Sequence, residues 1–276
     1  MKNKITNHDE IIRLYQDGLS SWEVARLANC SQNSVLRILK DYGIKSKPSS
    51  SYRKYNFDTT YFETIDTEDK AYFLGLLYAD GCNFIKGGNI CLGLGEQDIH
   101  ILEDFKRYIQ YTGEVKIIEC THKMKSRMCD LRINSKHLSA QLVKLGISSP
   151  KSLTLEFPTE EQVPYHLTHH FIRGFFDGDG CISKSGNLPI FSITSTLQFL
   201  ESIQHFLMEE CGLNKTKISR TNGEDKNTFT MTYAGTHNCK RIRDYLYKEA
   251  TVFLQRKHNY MFSLNVIRKE KKNKFK

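Results

Sequence analysis

Two aspartates that recur in register carry the first chemical reading of this chain. The segment Tyr72-Phe-Leu-Gly-Leu-Leu-Tyr-Ala-Asp-Gly-Cys82 returns as Phe171-Ile-Arg-Gly-Phe-Phe-Asp-Gly-Asp-Gly-Cys181, so Gly75, Asp80, Gly81 and Cys82 all reappear 99 residues later. Between Ala71 and Ala79 the first copy is apolar on every side, which demands a buried helix. Gly75 and Ala79 lie one turn apart, as do Gly174 and Gly178. These four positions form the expected helix interface, because strips almost bare of side chain let two backbones approach closer than the usual ~8–10 Å. Pairing the helices sets Asp80 and Asp179 side by side at the negative ends of two helix dipoles, an arrangement that is unfavourable unless a cation joins them. Hard oxygen ligands suit Mg²⁺, with Mn²⁺ as the alternative. The metal site is therefore placed at Asp80 and Asp179, with Ala79 and Gly178 beside them. An ion held there can bridge a phosphate, activate water and stabilise the leaving oxygen, as metal-assisted phosphodiester hydrolysis requires. The plainer alternative is a pair of helix stops, since Asp-Gly is a common turn dipeptide. Asp177 is a rival carboxylate, but its counterpart in the first copy is Tyr78, so paired chemistry selects Asp80 and Asp179.

The elements that must position these residues are legible as a duplication. Each copy reads as an apolar helix, two strands (82–86 and 89–95; 181–184 and 188–194) and a helix (98–110; 197–211). Two more strands (114–121 and 126–133; 215–221 and 227–234) and a last helix (135–145; 236–248) complete it. The fold class is α+β, with tandem αββαββα repeats over 59–150 and 151–268. Alternation in Lys123-x-Lys125-x-Arg127 and Lys215-x-Lys217 predicts cations on one sheet face, and a cationic saddle is expected from Lys86, Lys116, Lys123, Lys125, Arg127, Arg132, Lys184, Lys217, Arg220 and Lys226.

Ahead of the repeats, apolar positions at helical spacing predict three short helices between Asp9 and Tyr42. Gly18 ends the first, Ser20-x-x-Glu23 is a capping box for the second, and Ser31 caps the third. The pattern is that of a helix-turn-helix over residues 1–46, with Gln32, Asn33, Ser34 and Arg37 facing a DNA major groove. Residues 47–58, opening on Lys47, Pro48 and three serines, read as a linker, and 269–276 as a basic tail.

Composition sets outer bounds. The 276 residues carry 40 Lys+Arg against 31 Asp+Glu, and 39% are hydrophobic, which excludes a chain disordered throughout. The positive excess lies at the two ends, 10 basic against 5 acidic in residues 1–55 and 6 against 1 in 261–276, around a nearly neutral middle. Basic ends attract polyanions, nucleic acid first. There is no membrane-spanning run and no signal-peptide core, which points to an intracellular protein without a membrane partner. The eight cysteines contain no C-x-x-C pair, so a zinc site and a disulfide scaffold are both poor expectations.

The paired segments Phe73–Gly81 and Ile172–Gly180 resemble the signature motifs of LAGLIDADG homing endonucleases, and the chain resembles a single-chain, two-repeat member with a helix-turn-helix in front. The resemblance implies a monomeric, Mg²⁺-dependent endonuclease that cuts both strands of a long, asymmetric double-stranded DNA site. It further implies short 3′ overhangs and a role in intron, intein or free-standing gene mobility. It places a supporting basic residue in each half, at Lys151 and Lys257, so that Asp80, Asp179, Lys151 and Lys257 form the implied catalytic set. The competing implication is a non-cleaving DNA-binding regulator, or a maturase with its own intron RNA as partner.

Overall fold

The helices and strands follow from where the sequence can bury its apolar side chains. The computed structural model describes residues 7–47, 54–119, 127–148, 154–221 and 227–264. Lys123, Lys125, Lys151 and Lys226 lie outside the described residues. The chain divides into two compact units, Met1–Asn56 and Phe57–Lys276.

The first unit holds α1 (His8–Gln16), α2 (Ser21–Leu27) and α3 (Gln32–Asp41). The Ser20 hydroxyl accepts from the Glu23 N–H at 3.2 Å and the Glu23 carboxylate accepts from the Ser20 N–H at 2.8 Å. Both orphan donors of the helix start are thereby satisfied. Ser31 caps α3 through the Ser34 N–H at 3.1 Å, and Gly18 leaves α1 at φ +108°, where a side chain would be strained. Ile11, Tyr15, Val24, Ala25, Ala28, Val35, Ile38 and Leu39 fill the core.

The second unit is built on α4 (Glu68–Ala79) and α7 (Thr168–Asp179), which pack against one another. A Cβ on Gly75 would lie 2.0 Å from the Phe171 carbonyl oxygen, and one on Gly174 would lie 2.0 Å from that of Tyr72. The two backbones thus touch through the glycines. Around this pair each repeat folds one antiparallel sheet. The first has β1 (Gly81–Phe84), β2 (Asn89–Gly95), β3 (Lys116–Glu119) and β4 (Arg127–Asn134) in the order β1-β2-β4-β3. The second has β5 (Gly180–Ser185), β6 (Leu188–Ser195), β7 (Ser219–Arg220) and β8 (Phe229–Ala234) in the matching order β5-β6-β8-β7. Helices α5 (Ile99–Tyr108) and α6 (Lys136–Lys144) cover one face of the first sheet, and α8 (Leu197–Cys211) and α9 (Thr236–Leu246) one face of the second. Ile90, Leu92, Leu131 and Ile133 point into the first core, and Phe191, Ile193, Met231 and Tyr233 into the second. No helix among the described residues is long and apolar enough to cross a membrane.

Two elements depart from expectation. The strand expected over 215–221 shrinks to Ser219–Arg220. Side chains take carbonyls there instead: Tyr233 donates to Asn214, just before the expected strand, at 3.2 Å, and Gln204 to Thr216 within it at 2.9 Å. A further helix, α10 (Gln255–Ser263), follows α9. Its polar Gln-Arg-Lys-His-Asn opening hid it from the hydrophobic pattern.

Substitution Gly174→Ala drives a methyl group into a backbone carbonyl that no rotamer change can move. It is expected to cost about 3 kcal/mol or to prevent folding. Urea denaturation measures this, and a loss below about 0.5 kcal/mol would contradict the close crossing.

Candidate active site

Asp80 and Asp179 end α4 and α7, and both side chains are exposed. The two ends meet. A Cβ on Gly178 would lie 2.3 Å from the Ala79 Cβ and 2.8 Å from Asp80 Oδ2. Gly178 therefore leaves the space beside the Asp80 carboxylate that any side chain would fill. The four interface positions Gly75, Ala79, Gly174 and Gly178 all lie on the contact line of the two helices. Among the described residues no group of three or more His, Cys, Asp or Glu is arranged to hold a metal ion. A pair of carboxylates still fits Mg²⁺, which usually takes one or two and draws its other ligands from water and phosphate.

Asp177, two residues before Asp179, has the opposite surroundings. It is 1% exposed and its Oδ2 accepts from the Tyr72 hydroxyl at 2.9 Å and the Leu254 N–H at 2.8 Å. Among the described residues its Oδ1 has no hydrogen-bond partner. Burial raises its pKa to about 6, against the opposing pull of the Leu254 N–H and the Lys257 charge. Its counterpart Tyr78 donates to the Leu145 carbonyl just past α6, whereas Asp177 is tied to Leu254, the residue that caps α10.

Lys257, in the first turn of α10, is 5% exposed. Its ammonium donates to the carbonyls of Phe176 at 2.6 Å, Asp177 at 2.7 Å and Gly180 at 2.5 Å, with Gly178 at 3.4 Å. They are carbonyls of the last turn of α7 and of Gly180, where the chain passes into β5. Burial lowers its pKa to about 8, although Asp177 and Asp80 both favour the charge. The neighbouring Arg256 reaches across to the first repeat, where its Nε meets both oxygens of Asp98 at 3.1 and 3.0 Å. The first turn of α10 thus fastens the end of α7 and the other half of the unit together.

A second polar cluster joins the same helices. Arg173 is fully buried, and its guanidinium donates to Glu68 at 2.7 Å, to His170 Nδ1 at 2.6 Å, and to the carbonyls of Leu246 and Val252 at 2.8 and 3.1 Å. Burial first, and then the Arg173 charge, pushes His170 down to about 3, so its ring is a neutral acceptor. Glu68 also accepts from the Thr251 N–H and hydroxyl, both at 2.7 Å. Sequence reasoning missed Arg173 and Glu68. The available signal was an arginine standing where the first copy has Leu74.

The expected cationic saddle is corrected over the described residues. On the less buried face of the first sheet, Lys116 and Arg132 share a side with Asp130, and Arg132 is held by that carboxylate at 2.5 Å. Arg127 has the opposite parity and pairs with Glu96 at 2.8 Å. Lys86 is exposed in the β1–β2 turn and Lys217 ahead of β7. Lys184 and Arg220 lie on the helix-side parity of the second sheet, over the rings of Tyr260 and Phe229 at 5.4 and 5.6 Å. The less buried face of that sheet carries hydroxyls instead: Ser183, Ser192, Thr194, Ser219, Thr230 and Thr232. In the first unit Asn33 and Arg37 are exposed at one helical turn's spacing, whereas Gln32 donates to Ser21 at 2.9 Å and Ser34 bonds Ser31 at 2.8 Å.

Residues 168–247 match the family model described as a LAGLIDADG-like domain, so the second repeat is a LAGLIDADG-like domain. Solved structures similar to this chain include the I-LtrWI LAGLIDADG homing endonuclease bound to target DNA, at 12% identity over 78% of this chain and 92% of that one, with a TM-score of 0.46. They also include the LAGLIDADG homing endonuclease I-GzeII in complex with its DNA target, at 12% identity, 76% and 92% coverage and a TM-score of 0.47. The N-terminal LAGLIDADG domain of DUF199/WhiA is similar at 13% identity, 68% and 86% coverage and a TM-score of 0.42. No curated protein matches the chain in sequence.

Two predictions follow from the buried charges. A carboxyl raised from the ordinary 3.8 to about 6 contributes stability that is complete below the lower value and is lost as pH rises through the upper one. The loss is about 3 kcal/mol. Asp177→Asn should therefore flatten the fall in unfolding free energy between pH 4 and pH 7, and denaturation curves at the two pH values read this. Lys257→Met removes the ammonium that the Phe176, Asp177 and Gly180 carbonyls share and should cost about 2 kcal/mol or more. A lysine serving catalysis from solvent would leave the melting temperature unchanged.

Proposed function

We propose that this protein is a metal-dependent, site-specific DNA endonuclease that hydrolyses one phosphodiester on each strand of a long asymmetric duplex site. The observation that carries this reading is the meeting of two glycine-lined helix ends, each closed by an exposed aspartate, with Gly178 clearing the space beside Asp80. The LAGLIDADG-like match over 168–247 supports it.

In this reading Asp80 and Asp179 hold a divalent cation, Mg²⁺ or Mn²⁺. When bound, that ion supplies positive charge for the scissile phosphate and a water acidic enough to attack it. The residues of the chain place the carboxylates. The glycine crossing sets the two helix ends in contact, and the Arg256–Asp98 pair keeps the second repeat against the first. Lys257 is a positioning residue, because its protons are committed to backbone carbonyls and its ammonium fixes the turn that carries Asp179. Lys151 is proposed as the supporting basic residue of the first half.

DNA lies along the less buried faces of the two sheets. Lys116 and Arg132 contact phosphate on one side, and the serine and threonine hydroxyls supply short donors and acceptors on the other. The halves differ at almost every such position, so the site they read is asymmetric. The first unit acts as a tethered helix-turn-helix whose Asn33 and Arg37 reach base edges, and the tether turns its binding into an intramolecular event.

Cleavage is tested by sequencing DNA ends after incubating the protein and Mg²⁺ with genomic DNA. Cuts at one or a few sites are expected, reduced about 10²-fold or more by Asp80→Asn or Asp179→Asn, with binding retained. Specific binding without cleavage under any divalent ion would refute the two-aspartate reading and leave a DNA-binding regulator or an RNA-binding maturase on the same fold.

A further inference from the structure

We infer that Cys82 and Cys91 form a reversible dithiol–disulfide pair. The two are direct partners in the antiparallel register of β1 and β2, so their side chains leave the sheet on the same side. That side is the less buried one: Asn83, Ile90 and Leu92 take the helix-covered face, while Cys82 is exposed and Cys91 half-buried. Directly opposed residues on antiparallel strands have Cα atoms about 4.5–5.5 Å apart. This falls inside the range of about 4.4–6.8 Å that a disulfide spans, so the link needs side-chain rotation and little backbone movement.

The second repeat provides an internal control. Cys181 occupies the position equivalent to Cys82 and is likewise exposed, but its cross-strand partner is Ser192. One repeat therefore carries a thiol opposed across the strands by a second thiol, and the other a thiol opposed by a serine. Cys129, Cys211 and Cys239 are buried and out of reach of a soluble oxidant.

The oxidant is a small-molecule disulfide such as glutathione disulfide. The exposed Cys82 sulfur attacks one glutathione sulfur, forms a mixed disulfide and releases one glutathione. The Cys91 sulfur then attacks Cys82, closes the protein disulfide and releases the second glutathione. Overall, two cysteine thiols and one glutathione disulfide become one protein disulfide and two glutathione thiols, with both thiol protons passing to the glutathiones. The pair starts one residue past Gly81, where β1 leaves the Asp80 end of α4, but its chemistry stands whether or not this face carries DNA.

The test is peptide mapping by mass spectrometry of the full chain after incubation with glutathione disulfide. The expected result is a peptide pair joined through Cys82 and Cys91 with the loss of two hydrogens, alongside a glutathione adduct on Cys181. Dithiothreitol should reverse both. Cys82→Ser and Cys91→Ser should each abolish the link, and Cys181→Ser should leave it intact. A stable glutathione adduct on Cys82 with Cys91 still free, or a link from either residue to another cysteine, would overturn the inference.

Discussion

The contact of Gly75 with the Phe171 backbone, and of Gly174 with that of Tyr72, is the constraint to which the second unit answers. Two helices can meet so closely only if neither carries a side chain along the seam, and once they do, the remaining faces of both must be covered. That is why Ala71 to Tyr78 and His170 to Asp177 are buried without interruption. Each helix then runs directly into the first strand of its own sheet, β1 at Gly81 and β5 at Gly180. A single crossing thereby sets the start of both sheets and the place where both aspartates emerge.

Position along the helix decides the chemistry of each acid. Asp177 and Asp179 are two residues apart, close to opposite sides of a helix with 3.6 residues per turn. One is turned into the protein against Tyr72 and the Leu254 amide, and the other is exposed at the helix end. The buried acid is a structural tie with a raised pKa, and the other meets solvent at the helix end. The same distinction separates Lys257, enclosed by carbonyls, from lysines such as Lys86 and Lys116 that reach solvent.

Much of this was legible in the sequence because it is repetitive or local. The duplicated Gly and Asp positions announced two equivalent helices, alternation announced the strands, and Ser20 with Glu23 announced a helix start through a bond spanning three residues. What escaped depends on partners far apart along the chain. Arg173 finds Glu68 across 105 residues and Arg256 finds Asp98 across 158, and no periodicity encodes either pairing. Among the described residues, some cations expected on the saddle lie off its face for a different reason. Which face a lysine or arginine occupies depends on where its strand begins, and parity puts Arg127 and Arg132 on opposite sides of β4.

The Arg173–Glu68 and Asp177–Tyr72 ties also decide which copy can stand opposite which. If two second repeats faced each other, Arg173 would meet Leu167, the residue that corresponds to Glu68, and Asp177 would meet Phe171, which corresponds to Tyr72. Arg173 would then lose its carboxylate partner and Asp177 its tyrosine hydroxyl, and burying charges with part of their partners removed is costly. Two first repeats would fare little better, because Glu68 would face Leu74. Each half is therefore built to pair with its unlike counterpart and not with a second copy of itself, whichever molecule supplies that counterpart.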